Sequence, residues 1–327
     1  MSEIEGEKGR PEFEHKEKTR RDFLKIAGIG ALAGVSVFGG VPDLSKWIGK
    51  NQFDGISFAG DAPKYELYAL KYGEFHTFPM HLWHWLGNPP LAPSQPITTA
   101  SGYYWLIKGP DINILFDTGM IPEVAKAHGL VNYEDHKTAL AKIGLKPEDI
   151  GAVILSHAHF DHVNGIQVFQ EKNIPIYIQE ACFRWTVEVY PKYPLLKKLG
   201  LPDFDDVQWL SKMLFADRLK LVTGKRAGKP IELFPGVSVR RVDGHMMGHQ
   251  IAIVQTAKGA VVLSSDAAYL YSNLEMDWPV GLIMSTLTDA MDALTVCKES
   301  GEIVVPGHDS EVTKRFPEVK PGVYKIA

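Results

Sequence analysis

The chain has 327 residues, 45% of them hydrophobic and 23% charged, which provides for a large core and matches an ordinary soluble globular protein. Its formal net charge of -4, with Lys and Arg not gathered in a block outside the N-terminus, excludes the basic field that nucleic-acid binding requires. Cys182 and Cys297 lie far apart without CxxC spacing, so neither a disulfide framework nor a thiolate zinc knot is indicated, and both read as small buried apolar residues.

At the N-terminus, "TRRDFLKIAGIGALAGVSVFGGV" sets Arg20 and Arg21 ahead of an apolar run, Ile26 to Val41, that is short and glycine-rich for a membrane span. The pattern resembles a twin-arginine export signal. That resemblance implies export of an already folded, often cofactor-loaded protein by the twin-arginine machinery to the periplasm or beyond. Cleavage and an uncleaved membrane tether both stay open. Residues 1–41 are therefore set aside as the signal segment and 42–64 as a linker, leaving 65–327 as one folded domain.

From Tyr65 onward, short apolar and β-branched runs alternate with segments of helical period. Strands are predicted at "YELYALKYG", "GYYWLIKG", "INILFDTG", "GAVILSH", "IPIYIQ", "VSVRRV", "QIAIVQT", "AVVLSSD" and "EIVVPGH". Helices are predicted at "YEDHKTALAKIG", where Lys137, Leu140, Ala141 and Leu145 share helical spacing, and at "QEACFRWTVEVY" and "TLTDAMDALTVCKES". Two early strands, then alternation of strand and helix, then a further run of strands indicate a mixed α/β (α+β) sandwich and not a doubly wound sheet.

The stretch "LSHAHFDHVNG" follows the fully apolar strand "AVIL", so its histidines fall on the loop at the strand's carboxyl end, with "VNGIQVFQ" starting a helix. His157 and His159, at alternate positions, point the same way, while Asp161 and His162 can turn to the opposite side, so one loop can serve two neighbouring metal ions. Imidazole and carboxylate ligands suit zinc, and also iron, cobalt or manganese. Further candidates sit at or just past other predicted strands: His245 and His249 in "DGHMMGH", Asp266 in "LSSDAAY" and His308 in "VPGHD".

With "LFDTG" and "GLKPEDIGAVILSHAHFDH", these motifs run in order from Tyr65 to about Phe316 and resemble the metallo-β-lactamase-fold hydrolases, most closely the N-acyl-homoserine lactonases. The resemblance implies an αββα four-layer sandwich holding two divalent metal ions. It assigns His157, His159 and His245 to one ion and Asp161, His162 and His308 to the other, with Asp266 bridging. It also implies a hydrolase that opens the ester ring of lactones, N-acyl-homoserine lactones foremost (quorum quenching), by attack of a hydroxide held between the ions. Tyr269 matches a tyrosine that donates to the substrate oxygen, and Asp161 can carry the proton to the leaving alkoxide. Asp117 matches an aspartate that orients the metal loop, and His249 a supporting histidine. The bridging aspartate, and the lack of a cysteine near the third motif, set the chain apart from true β-lactamases.

An organophosphate or aryl-ester hydrolase on the same scaffold is the alternative, and a homodimer is open. The aromatic stretch "MHLWHWLGNPPLAPSQP", with His81, Trp83, His84 and Trp85, either walls an apolar substrate pocket or caps the sandwich. The segment "YPKYPLLKKLGLPDFDDVQWLSKMLF" and the pair Met246 and Met247 read as cover for the metal cleft.

Overall fold

The computed structural model describes residues 52–53, 64–76, 83–86, 99–199 and 201–327. The expected signal segment 1–41, most of the linker and His81 lie outside the described residues. A first sheet contains β1 (Gln52–Phe53), β2 (Glu66–His76), β3 (Thr99–Lys108), β4 (Asn113–Phe116), β5 (Ile150–Ile154), β6 (Ile176–Gln179) and β7 (Leu219–Val222). A second contains β8 (Ile231–Phe234), β9 (Val237–Arg241), β10 (Gln250–Thr256), β11 (Gly259–Ser265) and β12 (Ile303–Pro306). The last two strands, β13 (Glu318–Lys320) and β14 (Val323–Lys325), return to the first sheet, whose order is β1-β7-β6-β5-β4-β3-β2-β14-β13. The second sheet runs β12-β11-β10-β9-β8.

Each strand predicted from the sequence falls on an observed one. Those not foreseen, β1, β7, β8, β13 and β14, are two to four residues long, too short for alternation to show. The first sheet is parallel from β4 to β7 and antiparallel from β4 through β3, β2 and β14 to β13. Only its parallel half needs crossover helices. These and other helices are α1 (Pro122–Ala127), α2 (His136–Ala141), α3 (Phe160–Val163), α4 (Glu180–Arg184), α5 (Pro194–Leu199), α6 (Phe204–Phe215), α7 (Tyr271–Glu275), α8 (Leu287–Glu299) and α9 (Val312–Arg315).

Helices α2, α4 and α8 fall on predicted segments. The α4 segment passes into a π-helical turn at Trp185–Val189, and "VNGIQVFQ" becomes a 3-10 turn at Asn164–Phe169. Where helices begin, short polar side chains take up the free N–H groups: Asp135 accepts from the Thr138 amide and Thr286 from the Asp289 amide.

The two-residue period of β2 and β3 defines the layers. Leu67 and Ala69, with Tyr103, Trp105 and Ile107, belong to the core shared with Ile251–Val254 of β10 and Val261–Leu263 of β11. On the other face, Tyr72 stacks on Tyr104 at 6.0 Å between ring centres, and His136 of α2 lies on Tyr104 at 4.8 Å. Ala293, Leu294, Val296 and Cys297 of α8 join the core next to the second sheet. Helix, sheet, sheet and helix thus form the expected αββα order, and burial on both faces explains why the central strands read as continuous apolar runs. A fully buried side chain as large as Trp105 or Phe116 contributes about 1.5–3 kcal/mol to this core. Both cysteines are buried thiols. Among the described residues no helix is long and apolar enough to cross a membrane.

Candidate metal centre

The predicted ligands come together in two groups where the two sheets meet. Ligand atoms of His157, His159, His245 and Asp266 lie within 4.8 Å of one another, as do those of Asp161, His162 and His308. The first sheet supplies the loop after β5, and the second supplies the β9–β10 loop and the ends of β11 and β12.

Neighbouring loops fix the β5 loop. The Tyr72 hydroxyl donates to the Asp161 carbonyl at 2.9 Å, and the Thr118 amide and hydroxyl both donate to the His162 carbonyl at 2.8 Å. The β9–β10 loop closes on Asp243, whose Oδ1 accepts from the Gly248 amide at 2.7 Å and from Arg241. Gly248 has φ +75, and a Cβ there would stand 2.1 Å from the Cys182 backbone nitrogen, so "DGHMMGH" needs its second glycine.

Asp266 stands between the groups. Its Oδ2 is 3.2 Å from His245 Nε2 and 3.7 Å from His157 Nε2, while Oδ1 is 3.1 Å from both His162 Nε2 and His308 Nε2. Asp161 Oδ2 lies 3.7 Å from His162 Nε2 and 3.6 Å from His308 Nε2. One carboxylate thus presents one oxygen to each group.

The outer nitrogens of the imidazoles determine what their inner nitrogens can offer. His245 Nδ1 faces the Leu282 carbonyl at 3.0 Å and His308 Nδ1 faces the Ser101 carbonyl at 3.0 Å. A carbonyl can only accept, so each Nδ1 carries the proton and each Nε2 turns inward as a lone pair. His162 Nδ1 likewise meets the Asp117 carboxylate at 2.9 Å. His159 is reversed: its Nδ1 faces inward, 2.8 Å from His245 Nε2, which in turn lies 3.2 Å from His157 Nε2.

Lone pairs aimed at each other at these separations repel unless a cation lies among them. His162 Nε2 and Asp266 Oδ1 are buried and close, yet neither is in a hydrogen bond. Orphaned acceptors of this kind, drawn from nitrogen and carboxylate oxygen without a thiolate, suit two metal ions of the zinc type.

Electrostatics divide the two groups. Burial, with neighbouring histidines adding to it, lowers the proton affinity of His157 and His159 well below that of ordinary imidazole. At His162 and His308 burial acts the same way, but nearby carboxylates, Asp266 first, outweigh it and raise the affinity. Burial opposes charge on Asp266 as well, yet His162, His308 and His245 hold it well below the usual carboxylate range. The result is a buried anion ringed by imidazoles.

Asp117 anchors the centre from beneath. It is fully buried with φ +61, and it accepts from the Ser156 amide at 2.7 Å, the Ser156 hydroxyl at 2.8 Å and the Ser265 hydroxyl at 3.0 Å, besides its contact with His162. Reading the sequence singled out Asp117 but missed Ser156 and Ser265, which flank His157 and Asp266; their adjacency to predicted ligands was the available signal. His249 is fully buried, its ring 5.0 Å from that of His157, outside both ligand groups.

Tyr269 lies against the centre, its hydroxyl 3.2 Å from His245 Nδ1 and its ring 5.6 Å from His308. Trp83 packs edge-on against it at 5.7 Å. The turn carrying Trp83 is clamped to the segment after β11: Asn273 Nδ2 donates to the Trp83 carbonyl, the Trp278 indole to the Trp85 carbonyl, and His84 Nε2 lies 3.0 Å from Ser272 Oγ. One expectation is corrected. Met246 is fully buried with its sulfur 3.9 Å from Cys182 Sγ, and Met247 meets Arg241, so the pair serves to pack the loop and not to cover the cleft. In the 190–215 segment, α6 is tied to the metal loop, where Asn164 Nδ2 donates to Asp206 Oδ1 at 2.8 Å.

Residues 97–308 match the profile of the metallo-beta-lactamase superfamily. The chain belongs to that superfamily. This metallo-beta-lactamase superfamily protein is 34% identical to an N-acyl homoserine lactonase of Bacillus cereus over 189 residues, 55% of this chain and 66% of that one. It is 30% identical to an N-acyl homoserine lactonase of a Bacillus species over 253 residues, covering 71% of this chain and 91% of the relative. A solved N-acyl homoserine lactone hydrolase, with N-hexanoyl-L-homoserine bound at its catalytic metal centre, superposes with a TM-score of 0.58 at 25% identity, over 81% of this chain and all of the other. A quorum-quenching lactonase does so with a TM-score of 0.59 at 26% identity, over 82% of this chain. Superfamily, homology and donor set together make the protein a metal-dependent hydrolase of lactonase type.

Proposed function

We propose that this hydrolase opens the ester ring of N-acyl-homoserine lactones through a dinuclear centre built from His157, His159 and His245 on one side, Asp161, His162 and His308 on the other, and Asp266 shared. The observation that carries the reading is likeness to an N-acyl homoserine lactonase over 91% of that relative's length. Two ions bound there would supply hydroxide at neutral pH and polarise the substrate carbonyl, with zinc, iron, cobalt and manganese all compatible with the donors.

The chain's own groups do the rest. Burial, with Asp266 and Asp161 nearby, pushes the Tyr269 phenol well above its usual range, so its hydroxyl keeps its proton. Because the His245 Nδ1 proton is directed to the Leu282 carbonyl, the Tyr269 hydroxyl hydrogen remains available to the oxygen that gains charge as the ester opens. Asp161, with one oxygen toward His162 and His308, has its second oxygen left to take up a proton and return it to the leaving alkoxide.

Replacing Tyr269 with Phe is expected to cut kcat by roughly a hundredfold, the usual consequence of losing one oxyanion donor, with both metals retained. Metal analysis beside steady-state kinetics checks this, and unchanged turnover would return Tyr269 to the core. Trp83, packed on Tyr269, walls the same space. Trp83→Ala should raise KM for long-chain homoserine lactones more than for short ones, measured across a chain-length series.

The proposed substrate is tested by following acid release from metal-analysed protein with homoserine lactones of several lengths, plain δ-lactones, an aryl ester and a phosphotriester. Preference for the homoserine lactones supports the assignment. Preference for the aryl ester or phosphotriester moves it to a detoxifying hydrolase with the same centre. We also propose export by the twin-arginine route, which Arg20 and Arg21 ahead of the apolar run support.

A further inference from the structure

We infer that Ser156 is a positioning residue that orients His157 and joins the two metal sites to one shared carboxylate. This rests on the reading that the cluster holds two ions. The Ser156 hydroxyl lies 2.8 Å from Asp117 Oδ2, 2.9 Å from His157 Nδ1 and 2.9 Å from Ser265 Oγ. For His157 Nε2 to face inward as a lone pair its Nδ1 must carry the proton, and the hydrogen bonds of this set allow it. Asp117 as a carboxylate can only accept: Oδ2 takes the Ser156 hydroxyl hydrogen directly, or Ser156 donates to Ser265 and Ser265 to Oδ2, and in either arrangement the Ser156 oxygen is left to accept.

His157 Nδ1 then carries a proton and donates it to Ser156, which turns the Nε2 lone pair inward, 3.2 Å from His245 Nε2. The same Asp117 oxygen takes the His162 Nδ1 proton directly at 2.9 Å. One carboxylate therefore sets the tautomer of a ligand in each group, His162 by contact and His157 through a hydroxyl. Ser156, Asp117, His157 and His162 all have 0% exposure, so the serine oxygen is shielded from bulk water.

The asymmetry makes the inference testable. Loss of the Ser156 hydroxyl removes the acceptor for the His157 N–H and frees that ring to rotate or change tautomer, while His162 keeps its partner. Loss of the Asp117 charge affects both.

The experiment is competition for Zn²⁺ between the full-length protein and a chromophoric chelator, with the visible spectrum of the Co²⁺-loaded protein as a second readout. For Ser156→Ala, affinity for the ion of the His157 group is expected to fall about 10–100-fold, the range typical of lost outer partners of ligating histidines. The other ion should be held nearly as before. The cobalt spectrum should change in intensity, Ser156→Thr should restore both readouts, and Asp117→Asn should weaken both ions together.

Wild-type affinity for both ions in Ser156→Ala would overturn the inference, as would equal weakening of both. Should that variant fail to fold, Ser156→Cys, with a weaker acceptor at the same place, is expected to show a smaller loss confined to one ion; no loss would again overturn it. A wild-type protein that binds no divalent ion would instead defeat the reading of the cluster. Neither result depends on which ester is hydrolysed.

Discussion

Asp266→Asn is expected to bring the protein from two bound metals toward one and to lower turnover by at least about a thousandfold, since the proposed paired centre would no longer supply hydroxide. The reasoning lies in the carboxylate's two faces. Oδ2 is turned to His157 and His245, and Oδ1 to His162 and His308. Asparagine keeps the shape but must place its NH2 on one of those sides. The imidazoles there present lone pairs inward, so the amide hydrogens would satisfy them and compete with a cation. The other side keeps an oxygen acceptor without its full charge. Elemental analysis after dialysis, with steady-state kinetics on the same sample, checks the outcome. Two metals and full activity in the variant would show that Asp266 does not bridge.

Removal of metal should have the next largest effect, and on stability as well as on hydrolysis. Chelation ought to abolish activity, with recovery on adding Zn²⁺, Co²⁺ or Mn²⁺. Binding at free metal about 100 times Kd adds about 2.7 kcal/mol per site, so two sites give on the order of 5 kcal/mol. At about 2–4 °C per kcal/mol for a domain of this size, the melting temperature should drop by roughly 10–20 °C on stripping. The direction follows from the burial of Asp266 and its imidazoles, whose lone pairs and charge are left to face one another. A scan of apo and reloaded protein decides it, and equal melting temperatures would mean that the cluster does not hold ions tightly.

Much of this centre was legible in the sequence because its ligands cluster around strand ends, and strand ends are marked by the switch from apolar runs to "SHAHFDH", "SSDAAY" and "VPGHD". Local pattern also located the core, since β5, β10 and β11 are apolar almost throughout. What escaped was set by contacts far apart along the chain. Ser156 and Ser265 are ordinary polar residues until β5 and β11 bring their hydroxyls to 2.9 Å across a gap of 109 positions. Met246 reads as cover for the metal cleft, but α4 supplies Cys182 for it to pack on. The helix α6 was passed over as a cover segment, although Asp203 at its start and the burial of Val207, Leu210 and Leu214 along one face give it a helical reason.

The residues that open the loops around the centre carry an evolutionary consequence. Asp117, Asp243 and Ser265 all have positive φ, at +61, +59 and +45. In that left-handed region glycine is the comfortable residue, and a side chain costs about 1–2 kcal/mol. Each of the three nevertheless keeps a side chain that supports a ligand or its loop. Glycine there would relax the backbone but strip the partners from buried donors, at about 1–3 kcal/mol each, and loosen the side chains that aim the candidate ligands. The usual relief of a left-handed position by glycine would thus cost stability and turnover together at these three positions, and an engineering campaign would do well to hold them fixed and seek its gains elsewhere in the sandwich.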